Sequence, residues 1–509
     1  MPISHCLHRQ ITVCMVFLIV GLGWTVAAGQ SPPGAYSDVQ AYPDGPAAER
    51  VKELINVVNG ADSARVRKFV EEAFTPEFRD FASMEEHVGV FTDFARETGG
   101  VEFYGVRKYE KPPFEGALVV ILRAKLTDSW QAFVINLEED PPHRFKALQF
   151  APARPPSDLP PATPLTEAEM IVELGRYMEK LGAADAFSGT VLLAKDGKIL
   201  FQGAYGQADK NFGVPNRIDT KFNLGSMNKM FTATAVMQLV ERGKLKLDDT
   251  LADRLGGAWL PDEVARKITI EHLLTHTSGL GSYFNDKFDA LSREKLREVD
   301  DYIPLVADER PQFEPGTAWA YSNTGMLLLG AVIERITGEN YYEYIRRNIY
   351  APAGMTNSDC YDLDRVVPNL AIGYTRARDE SGTHWETNTF KHVIRGGPAG
   401  GGYSTVEDLL RFDQALRAGK LVSRESVEKM WTATPLSSTR VAGYGYGFGF
   451  IVLETPAGKA VGHSGGFQGI SGLLRMYLDS GYTLAVLSNY NGGAPLVEQK
   501  VSEWLWGLK

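Results

Sequence analysis

The sequence has few cysteines and no extended basic segment. Only Cys6, Cys14 and Cys360 occur among its 509 residues, and no C-x-x-C pair is present. This excludes a disulfide framework and the usual cysteine-based zinc and redox motifs. Acidic residues (63) outnumber basic residues (53), and no basic run is longer than Arg346-Arg347. Because a nucleic-acid-binding protein usually carries a basic surface, the sequence predicts no nucleic-acid partner.

Long apolar runs are missing except near the N-terminus. Residues 11–28 carry no charge, Arg9 precedes them, and the small residues of segment 26–29 (VAAG) suit a signal peptidase. These features predict a signal peptide over 1–29 and a secreted or periplasmic protein. An uncleaved anchor is the alternative reading, since the eighteen residues of 11–28 can just span a bilayer. After signal removal, no integral membrane domain is expected.

The composition is globular, and a proline-rich segment divides the chain. Apolar residues make up 44% and charged residues 23%, which is ordinary for a folded protein. A chain of 509 residues is too long for one core, so two or three domains are expected. Segment 151–165 has six prolines in fifteen residues, a composition typical of a stiff linker. We therefore predict a small domain over 45–150 and a second domain over 166–509.

The region before the linker changes from helical to strand-like patterns. Apolar stripes at helical spacing predict helices within 47–98. After Gly99-Gly100, apolar runs bounded by turn residues predict strands at 101–109, 117–126, 130–137 and 145–150. Helices followed by an antiparallel sheet indicate a small α+β domain that resembles the NTF2-like fold. No group of residues in this domain suggests catalysis.

The second domain has strand patterns at both ends and helical patterns between them. A helix is expected over 166–181, and Asp196-Gly197 between two apolar runs predicts a hairpin. Residues 222–430 are mostly helical in pattern. Further strands are predicted at 444–453, 459–463, 469–478 and 482–488, followed by a helix at 494–507. The fold class is therefore α/β (α+β), with an antiparallel sheet flanked by helices and a helical subdomain.

One lysine interrupts an otherwise uncharged helical segment. Lys229 is the single charge in the nineteen residues of 222–240, whose apolar residues indicate a buried helix. A buried ammonium group is paired or has a lowered pKa. Ser226 lies three residues earlier on the same helix face, at a helix start that favours developing negative charge. The pattern indicates an acylation site; alternatively, Ser226 caps the helix and Lys229 meets an acidic partner.

Two later segments carry further polar candidates. In FEPGTAWAYSNTG (313–325), Tyr321 could deprotonate a serine if a nearby lysine lowered the pKa of the phenol. Asn323 could hold a substrate amide and orient Lys229; the alternatives are a core tyrosine and an asparagine helix cap. In VGHSGG (461–466), glycines at a strand end would let a substrate lie along the strand edge, although a simple glycine-rich turn is the alternative.

Taken together, these segments resemble a known family. Ser226-x-x-Lys229, Tyr321-x-Asn323 and the His-Ser-Gly triplet at 463–465 match, in order, the three motifs of the serine β-lactamase and penicillin-binding-protein superfamily. The Tyr-x-Asn form is similar to the class C β-lactamase, DD-peptidase and esterase branch. The resemblance extends over about 185–509. It includes three further segments that are similar to the same branch, at 268–280, 354–356 and 400–405.

The resemblance implies a fold and a set of roles. It implies a β-lactamase/transpeptidase-like domain in which Ser226 is the nucleophile and Lys229 and Tyr321 transfer protons. The implied substrate-binding residues are Asn323, which also supports the lysine, together with His463, Ser464 and Gly465. The implied oxyanion hole consists of the backbone N–H groups of Ser226 and Gly466. Neither a metal nor a cofactor is implied.

His463 stands where class C β-lactamases carry lysine, so the resemblance does not imply efficient β-lactam hydrolysis. The expected function is a serine hydrolase that forms an acyl-enzyme with an ester, an amide or a D-amino-acid peptide, like DD-carboxypeptidases, esterases or aminopeptidases. The expected partner is a small-molecule or peptide substrate. A true β-lactamase and a non-catalytic relative that binds cell-wall peptide are the alternatives.

Two other motif matches are weaker. Segment 462–466 fits G-x-S-x-G, but that motif needs a helix after the serine and a later histidine, and His463 is the last histidine of the chain. Segment 271–276 reads E-H-x-x-x-H rather than the zinc-protease order H-E-x-x-H. We therefore expect no α/β-hydrolase elbow and no metal site.

Overall fold

The computed structural model describes residues 36–60, 62–110, 114–159, 163–379, 382–439 and 443–508. The predicted signal peptide, 1–29, lies outside these residues. Contacts divide the described chain into two compact units, one with the residues up to 186 and those from 499 onward, the other with residues 187–498. This division differs from the boundary expected at 151–165, and the domain bounds stay a prediction. Among the described residues, no helix has the length and hydropathy to cross a membrane.

The first unit contains a five-stranded antiparallel sheet whose strands are neighbours in chain order. The four predicted strands are present, and a short strand that the sequence pattern did not reveal pairs with the first of them. The strands are β1 (Tyr36–Val39), β2 (Val101–Tyr109), β3 (Leu118–Ala124), β4 (Trp130–Leu137) and β5 (Phe145–Pro152).

The helices of the first unit bury the predicted apolar stripes. They are α1 (Pro46–Gly60), α2 (Ser63–Ala73), α3 (Pro76–Arg79), α4 (Met84–Thr98) and α5 (Glu167–Ala183). Helix α4 begins with a capping box between Ser83 and Glu86, a pairing favoured at helix N-termini. It ends at Gly99, whose left-handed φ of 66° is favoured at helix C-termini. The core of this unit is built from aliphatic and phenylalanine side chains.

The second unit is built on a seven-stranded antiparallel sheet with strand order β14-β15-β16-β17-β18-β6-β7. Strand β18 from the C-terminal part pairs with β6 from Tyr482–Lys195 to Ser488–Gly189, which confirms the predicted sheet from both chain ends. These strands are β6 (Gly189–Lys195), β7 (Lys198–Tyr205), β14 (Tyr444–Tyr446), β15 (Ile451–Thr455), β16 (Gly458–Phe467), β17 (Ile470–Tyr477) and β18 (Tyr482–Ser488). Short pairs are formed by β8 (Gln207–Asp209), β9 (Val214–Pro215), β10 (Phe222–Asn223), β11 (Tyr374–Asp379), β12 (Gly382–Thr387) and β13 (Tyr403–Ser404).

The single strand predicted at 444–453 is two strands, β14 and β15. The N–H of Gly447 donates to the carbonyl of Phe450 at 2.8 Å, and Gly449 has a φ of 73°. A Cβ at position 449 would stand 2.5 Å from the Cβ of Ala233, so a tight glycine turn lies there against a helix. The alternating aromatics made the segment look continuous, but the glycines between them form a hairpin.

Helices flank this sheet, and those within 222–430 form the predicted helical subdomain. The helices are α6 (Asn228–Glu241), α7 (Leu251–Leu255), α8 (Asp262–Ala265), α9 (Ile270–Leu274), α10 (Asp286–Ala290), α11 (Ile303–Val306), α12 (Asn323–Thr337), α13 (Tyr341–Ile345), α14 (Ala351–Ala353), α15 (Val406–Arg417), α16 (Arg424–Met430) and α17 (Gly493–Trp506). The last helix crosses the division between residues 498 and 499. Helix α6 is buried along nearly its whole length, as its uncharged sequence predicts. Its N-terminal end is preceded by the 3₁₀ turn Gly225–Met227, which carries the candidate nucleophile.

Candidate active site

Ser226 lies in the 3₁₀ turn that leads into α6, and this turn contacts strand β16. Gly225 has a φ of 50°, and a Cβ there would stand 2.9 Å from the backbone nitrogen of Gly466. A Cβ at Gly465 would in turn stand 3.0 Å from the backbone nitrogen of Ser226. Only glycine permits this approach. The backbone N–H groups predicted to form the oxyanion hole, those of Ser226 and Gly466, therefore belong to two backbone segments in close contact.

The amine of Lys229 is fully buried one helical turn after Ser226. Its Nζ lies 3.0 Å from Ser226 Oγ, 2.9 Å from Asn323 Oδ1 and 2.6 Å from the carbonyl oxygen of Ala399. None of these three partners is a carboxylate. Burial lowers the pKa of Lys229 well below its ordinary value of 10.5. The alternative reading, in which the lysine pairs with an acidic residue, does not describe this site.

The hydrogen bonds define what a neutral Lys229 can do. A neutral amine has two N–H donors and one lone pair. Asn323 Oδ1 and the carbonyl of Ala399 accept hydrogen bonds only, so they take both donors. The lone pair then faces Ser226 Oγ, whose O–H donates to it. This is the arrangement that proton transfer from serine to lysine requires.

Tyr321 is half-buried and shares a side-chain hydrogen bond with Ser226. Its ring centroid lies 4.7 Å from Lys229 Nζ. Burial raises the pKa of Tyr321 above its ordinary value of 10.0, and the bond to Ser226 offsets this only in part. The condition under which Tyr321 would deprotonate Ser226, a pKa lowered by a nearby lysine, is therefore not met. The phenol keeps its proton, and in the resting protein the lysine is the stronger candidate base.

Asn323 is the first residue of α12, but it does not cap that helix. The side chain of the preceding Ser322 accepts the N–H of Gly325 at 2.8 Å, so Ser322 is the N-cap. The amide of Asn323 is thereby free to bridge the site. Its Oδ1 accepts from Lys229, and its Nδ2 donates to Ser282 Oγ at 3.1 Å. The asparagine thus links the lysine to the loop that follows residue 280.

His463 is buried, and its tautomer is set by its neighbours. Nδ1 lies 2.5 Å from the carbonyl oxygen of Ser464, which can only accept, so Nδ1 carries the proton. Nε2 consequently accepts from the hydroxyl of Tyr446 at 3.0 Å. Burial lowers the pKa of His463 to about 3. The side chain is therefore neutral throughout the physiological range and supplies no positive charge to a substrate.

Beyond Gly462, strand β16 has one edge that is not paired with β15. Strand β15 pairs with β16 only as far as Gly462, whereas β17 pairs with β16 up to Phe467. Ser464 and Gly466 are exposed, and Gly465 is buried against the nucleophile turn. This edge lies beside Ser226 and offers backbone groups to an extended substrate.

The comparison with known families is direct. The family model described as "Beta-lactamase" matches residues 174–502, more than half of the chain. The chain belongs to the Beta-lactamase family. This match confirms the resemblance carried by Ser226, Lys229 and Tyr321. It also confirms the predicted β-lactamase/transpeptidase-like fold.

Relatives within the family differ in the chemistry that their names describe. The chain is similar to "Penicillin-binding protein 4*" of Bacillus subtilis (strain 168), at 35% identity over 333 residues, covering 62% of this chain and 71% of that protein. It is 31% identical over 348 residues to "Esterase EstB" of Burkholderia gladioli, covering 61% and 87%. The structure of a D-stereospecific amidohydrolase from Streptomyces sp. aligns with a TM-score of 0.54 at 27% identity, covering 65% of this chain and 98% of that one.

Three groups in this Beta-lactamase-family site escaped the sequence analysis. The carbonyl of Ala399 lies 170 positions along the chain from Lys229. Because every residue carries a backbone carbonyl, no sequence pattern identifies this acceptor. Tyr446 donates a hydrogen bond to His463, but in the sequence it is only one residue of the strand predicted at 444–453. His276 appears in the sequence only as part of the E-H-x-x-x-H match. Its left-handed φ of 59°, a conformation that histidine adopts more readily than most residues, leaves no mark in the sequence.

His276 contacts the backbone on both sides of Tyr321 and the ring of Tyr321 itself. Its carbonyl oxygen accepts the N–H of Ala320 at 2.9 Å, and its Nδ1 accepts the N–H of Ser322 at 3.2 Å. Its ring lies 4.4 Å from the ring of Tyr321 and 4.5 Å from that of Tyr446, between centroids. Burial lowers the pKa of His276 well below its ordinary value, so the ring is neutral. This histidine fixes the backbone on both sides of Tyr321 and one face of its ring.

We expect His276→Ala to lower kcat about 10- to 100-fold with little change in KM. Without the histidine, Tyr321 shifts, and its phenol is no longer aligned to donate a proton to the leaving group. His276→Asn should recover part of the loss. Asparagine tolerates a positive φ and offers an oxygen to the N–H of Ser322, but it lacks the ring. Steady-state kinetics of both variants, with thermal unfolding to verify folding, test this. A folded alanine variant with wild-type kcat would contradict it.

The remaining motif matches have structural explanations. His272 Nδ1 accepts the N–H of Thr269 at 3.3 Å and completes a capping box at the start of α9. Ser464 lies within a strand rather than before a helix. Within the described ranges, no group of three or more histidine, cysteine or acidic side chains is arranged to hold a metal ion.

Proposed function

We propose that this serine hydrolase of the Beta-lactamase family cleaves esters, amides or D-amino-acid peptides through an acyl-enzyme, in the manner of the class C-like branch. The observation that carries the proposal is the buried Lys229 amine, which has no carboxylate among its three hydrogen-bond partners and faces Ser226 Oγ at 3.0 Å. An amine kept neutral by burial can accept the serine proton at neutral pH.

Acylation begins with the proton of Ser226. Lys229 accepts it as Oγ attacks the substrate carbonyl carbon, and a tetrahedral oxyanion forms. The backbone N–H groups of Ser226 and Gly466 hold that negative charge. Tyr321 then donates its phenol proton to the leaving group and regains one from the Lys229 ammonium. The leaving group departs protonated, the ester to Ser226 is complete, and lysine and tyrosine return to their initial states.

Deacylation uses the same groups in reverse order. Water takes the place of the leaving group beside Tyr321, and its proton passes through Tyr321 to Lys229 as its oxygen attacks the ester carbonyl. The oxyanion returns to the same N–H groups. Collapse of this intermediate breaks the bond to Oγ, and Lys229 gives its proton back to Ser226. The acid product leaves, and the resting site is restored.

His463 bears on which substrates are favoured. Penicillins and D-alanyl-D-alanine peptides carry a carboxylate close to the bond that is cleaved. A cation bound to such a carboxylate contributes about 1.5–3 kcal/mol, but neutral His463 provides none. This favours esters and amides that lack the carboxylate. The names of the relatives, an esterase and a D-stereospecific amidohydrolase among them, support the same range of substrates.

The proposed location is outside the cytoplasm. The apolar segment 11–28 and the small residues that follow it support an exported protein. Expression with an epitope at the C-terminus, followed by fractionation and N-terminal sequencing, tests this proposal. A mature N-terminus near residue 29 in the secreted or periplasmic fraction is the expected result, and a full-length chain in the cytoplasm would contradict it.

A substrate panel tests the function. Wild-type protein and Ser226→Ala are compared on p-nitrophenyl acetate, a D-amino-acid amide, an acetylated D-alanyl-D-alanine peptide and benzylpenicillin. We expect Ser226-dependent turnover of the ester or the amide, with kcat/KM for penicillin lower by about 10- to 100-fold, as the missing cation implies. Faster penicillin turnover would favour a true β-lactamase. Tight peptide binding without any turnover would favour the non-catalytic reading.

A further inference from the structure

Two large apolar side chains stack on each other at the surface of the second unit. The rings of Phe284 and Phe467 lie 5.6 Å apart between centroids, with 26° between their planes. Each is nevertheless exposed, to 41% and 37%. Behind Phe284, the rings of Tyr283 and Phe288 lie at 4.6 and 4.8 Å, and both of these are buried. The pair is therefore supported from within and offers aromatic surface to solvent.

The two phenylalanines extend from two elements that build the active site. Phe467 is the last residue of β16 and directly follows Gly466, whose N–H is one of the proposed oxyanion donors. Phe284 lies two residues after Ser282, whose Oγ accepts the amide of Asn323 at 3.1 Å. Their stacking thus connects the loop that contacts Asn323 with the C-terminal end of β16.

Strand direction indicates which part of a substrate meets these rings. Along β16, His463 comes first and contacts the Tyr321 side through Tyr446. Gly466 follows, and Phe467 ends the strand, about 13 Å beyond His463 at 3.3 Å per residue. A leaving group that takes its proton from Tyr321 lies toward the His463 end. The acyl group, on the other side of the carbonyl, therefore extends toward Phe467.

There is room for such a group beside the oxyanion hole. Apart from the atoms of its two chain neighbours, a Cβ added to Gly466 would meet no atom within 4 Å, and Gly466 is exposed, so the strand is open to a substrate at this glycine. Aromatic faces bind other rings and apolar groups by stacking and by burial of apolar surface. A small acyl group such as acetyl is too short to use them.

We propose that Phe284 and Phe467 form the subsite for the acyl group and select substrates whose acyl group carries an aromatic or branched apolar substituent. The proposal rests on the proposed function and names its substrate class. It makes both phenylalanines specificity-determining residues, and it assigns them no part in proton transfer.

Two esters with the same leaving group test the subsite. p-Nitrophenyl phenylacetate and p-nitrophenyl acetate are compared in wild type, Phe284→Ala and Phe467→Ala. We expect kcat/KM for the phenylacetyl ester to fall about 10-fold in either variant, the usual scale for losing apolar pocket contacts, while the acetyl ester changes less than about two-fold. Phe212→Ala is the matched control, since Phe212 is an exposed phenylalanine (84%) in the connection between β8 and β9.

Each outcome is informative. Unchanged kcat/KM values for both esters in both variants would overturn the subsite and leave the proposed function standing. An equal fall for both esters would also overturn it, because that result indicates a general loss of structure. If wild type shows no Ser226-dependent turnover of either ester, the proposed function itself fails, and the subsite fails with it.

Discussion

Replacing Lys229 by methionine is expected to lower kcat/KM for the preferred ester by about 10³- to 10⁴-fold, the scale on which removal of an acid–base group from a catalytic unit acts. Lys229 is fully buried and its amine faces Ser226 Oγ, so methionine fills a similar volume but cannot accept the proton. Methionine also suits a buried helix. The variant should therefore stay folded, which thermal unfolding would verify.

The chain supplies a matched control for this substitution. Lys221 is also largely buried, with 8% exposed, and its amine donates to the carbonyl of Pro368 at 3.1 Å. Lys221→Met removes a buried lysine without touching the proton path and should change kcat/KM only a few-fold. If Lys229→Met kept activity comparable to that of Lys221→Met, the lysine could not be the base.

The pH profile of wild type extends the same prediction. Because burial lowers the pKa of Lys229, the neutral form predominates above that pKa and the proton-accepting amine is lost as the pH falls through it. Activity should therefore decline on the acid side. His463, with a pKa lowered to about 3, contributes no decline between pH 5 and 9. The pKa of Tyr321 is raised, so its phenol stays protonated across the same range. The acid decline should be absent from the residual activity of Lys229→Met.

The candidate nucleophile and its lysine were predictable because their signals are local. Ser226 and Lys229 share a helix face at a spacing of three, and a lone charge in an apolar helix is visible in a single sequence. The antiparallel sheet followed from turn residues between apolar runs. The hairpin at Asp196-Gly197 was predicted in this way, and strands β6 and β7 flank it.

The electrostatic state of the site was not predictable from the same patterns. The raised pKa of Tyr321 and the lowered pKa of His463 depend on how much of the folded chain covers each ring. The partners of His463 and Lys229 include the backbone carbonyls of Ser464 and Ala399, groups that every residue carries. Such contacts are set by tertiary packing and not by residue type.

Turn geometry was a second limit. Segment 444–453 has the alternation of one strand, but Gly449 brings a left-handed turn against helix α6 and divides it. At His276 the same kind of backbone conformation places a ring beside Tyr321. Both depend on close approaches between segments far apart in the chain, which periodicity does not report.

The central claim, that Ser226 is an activated nucleophile, is tested most directly by intact-protein mass after exposure to a fluorophosphonate. Wild type should gain the mass of one phosphonyl group, and Ser226→Ala should gain none. Ser438→Ala is the control, because Ser438 is an exposed serine outside the site and its loss should leave labelling unchanged. Labelling that persists in Ser226→Ala, or that is lost in Ser438→Ala, would contradict the account.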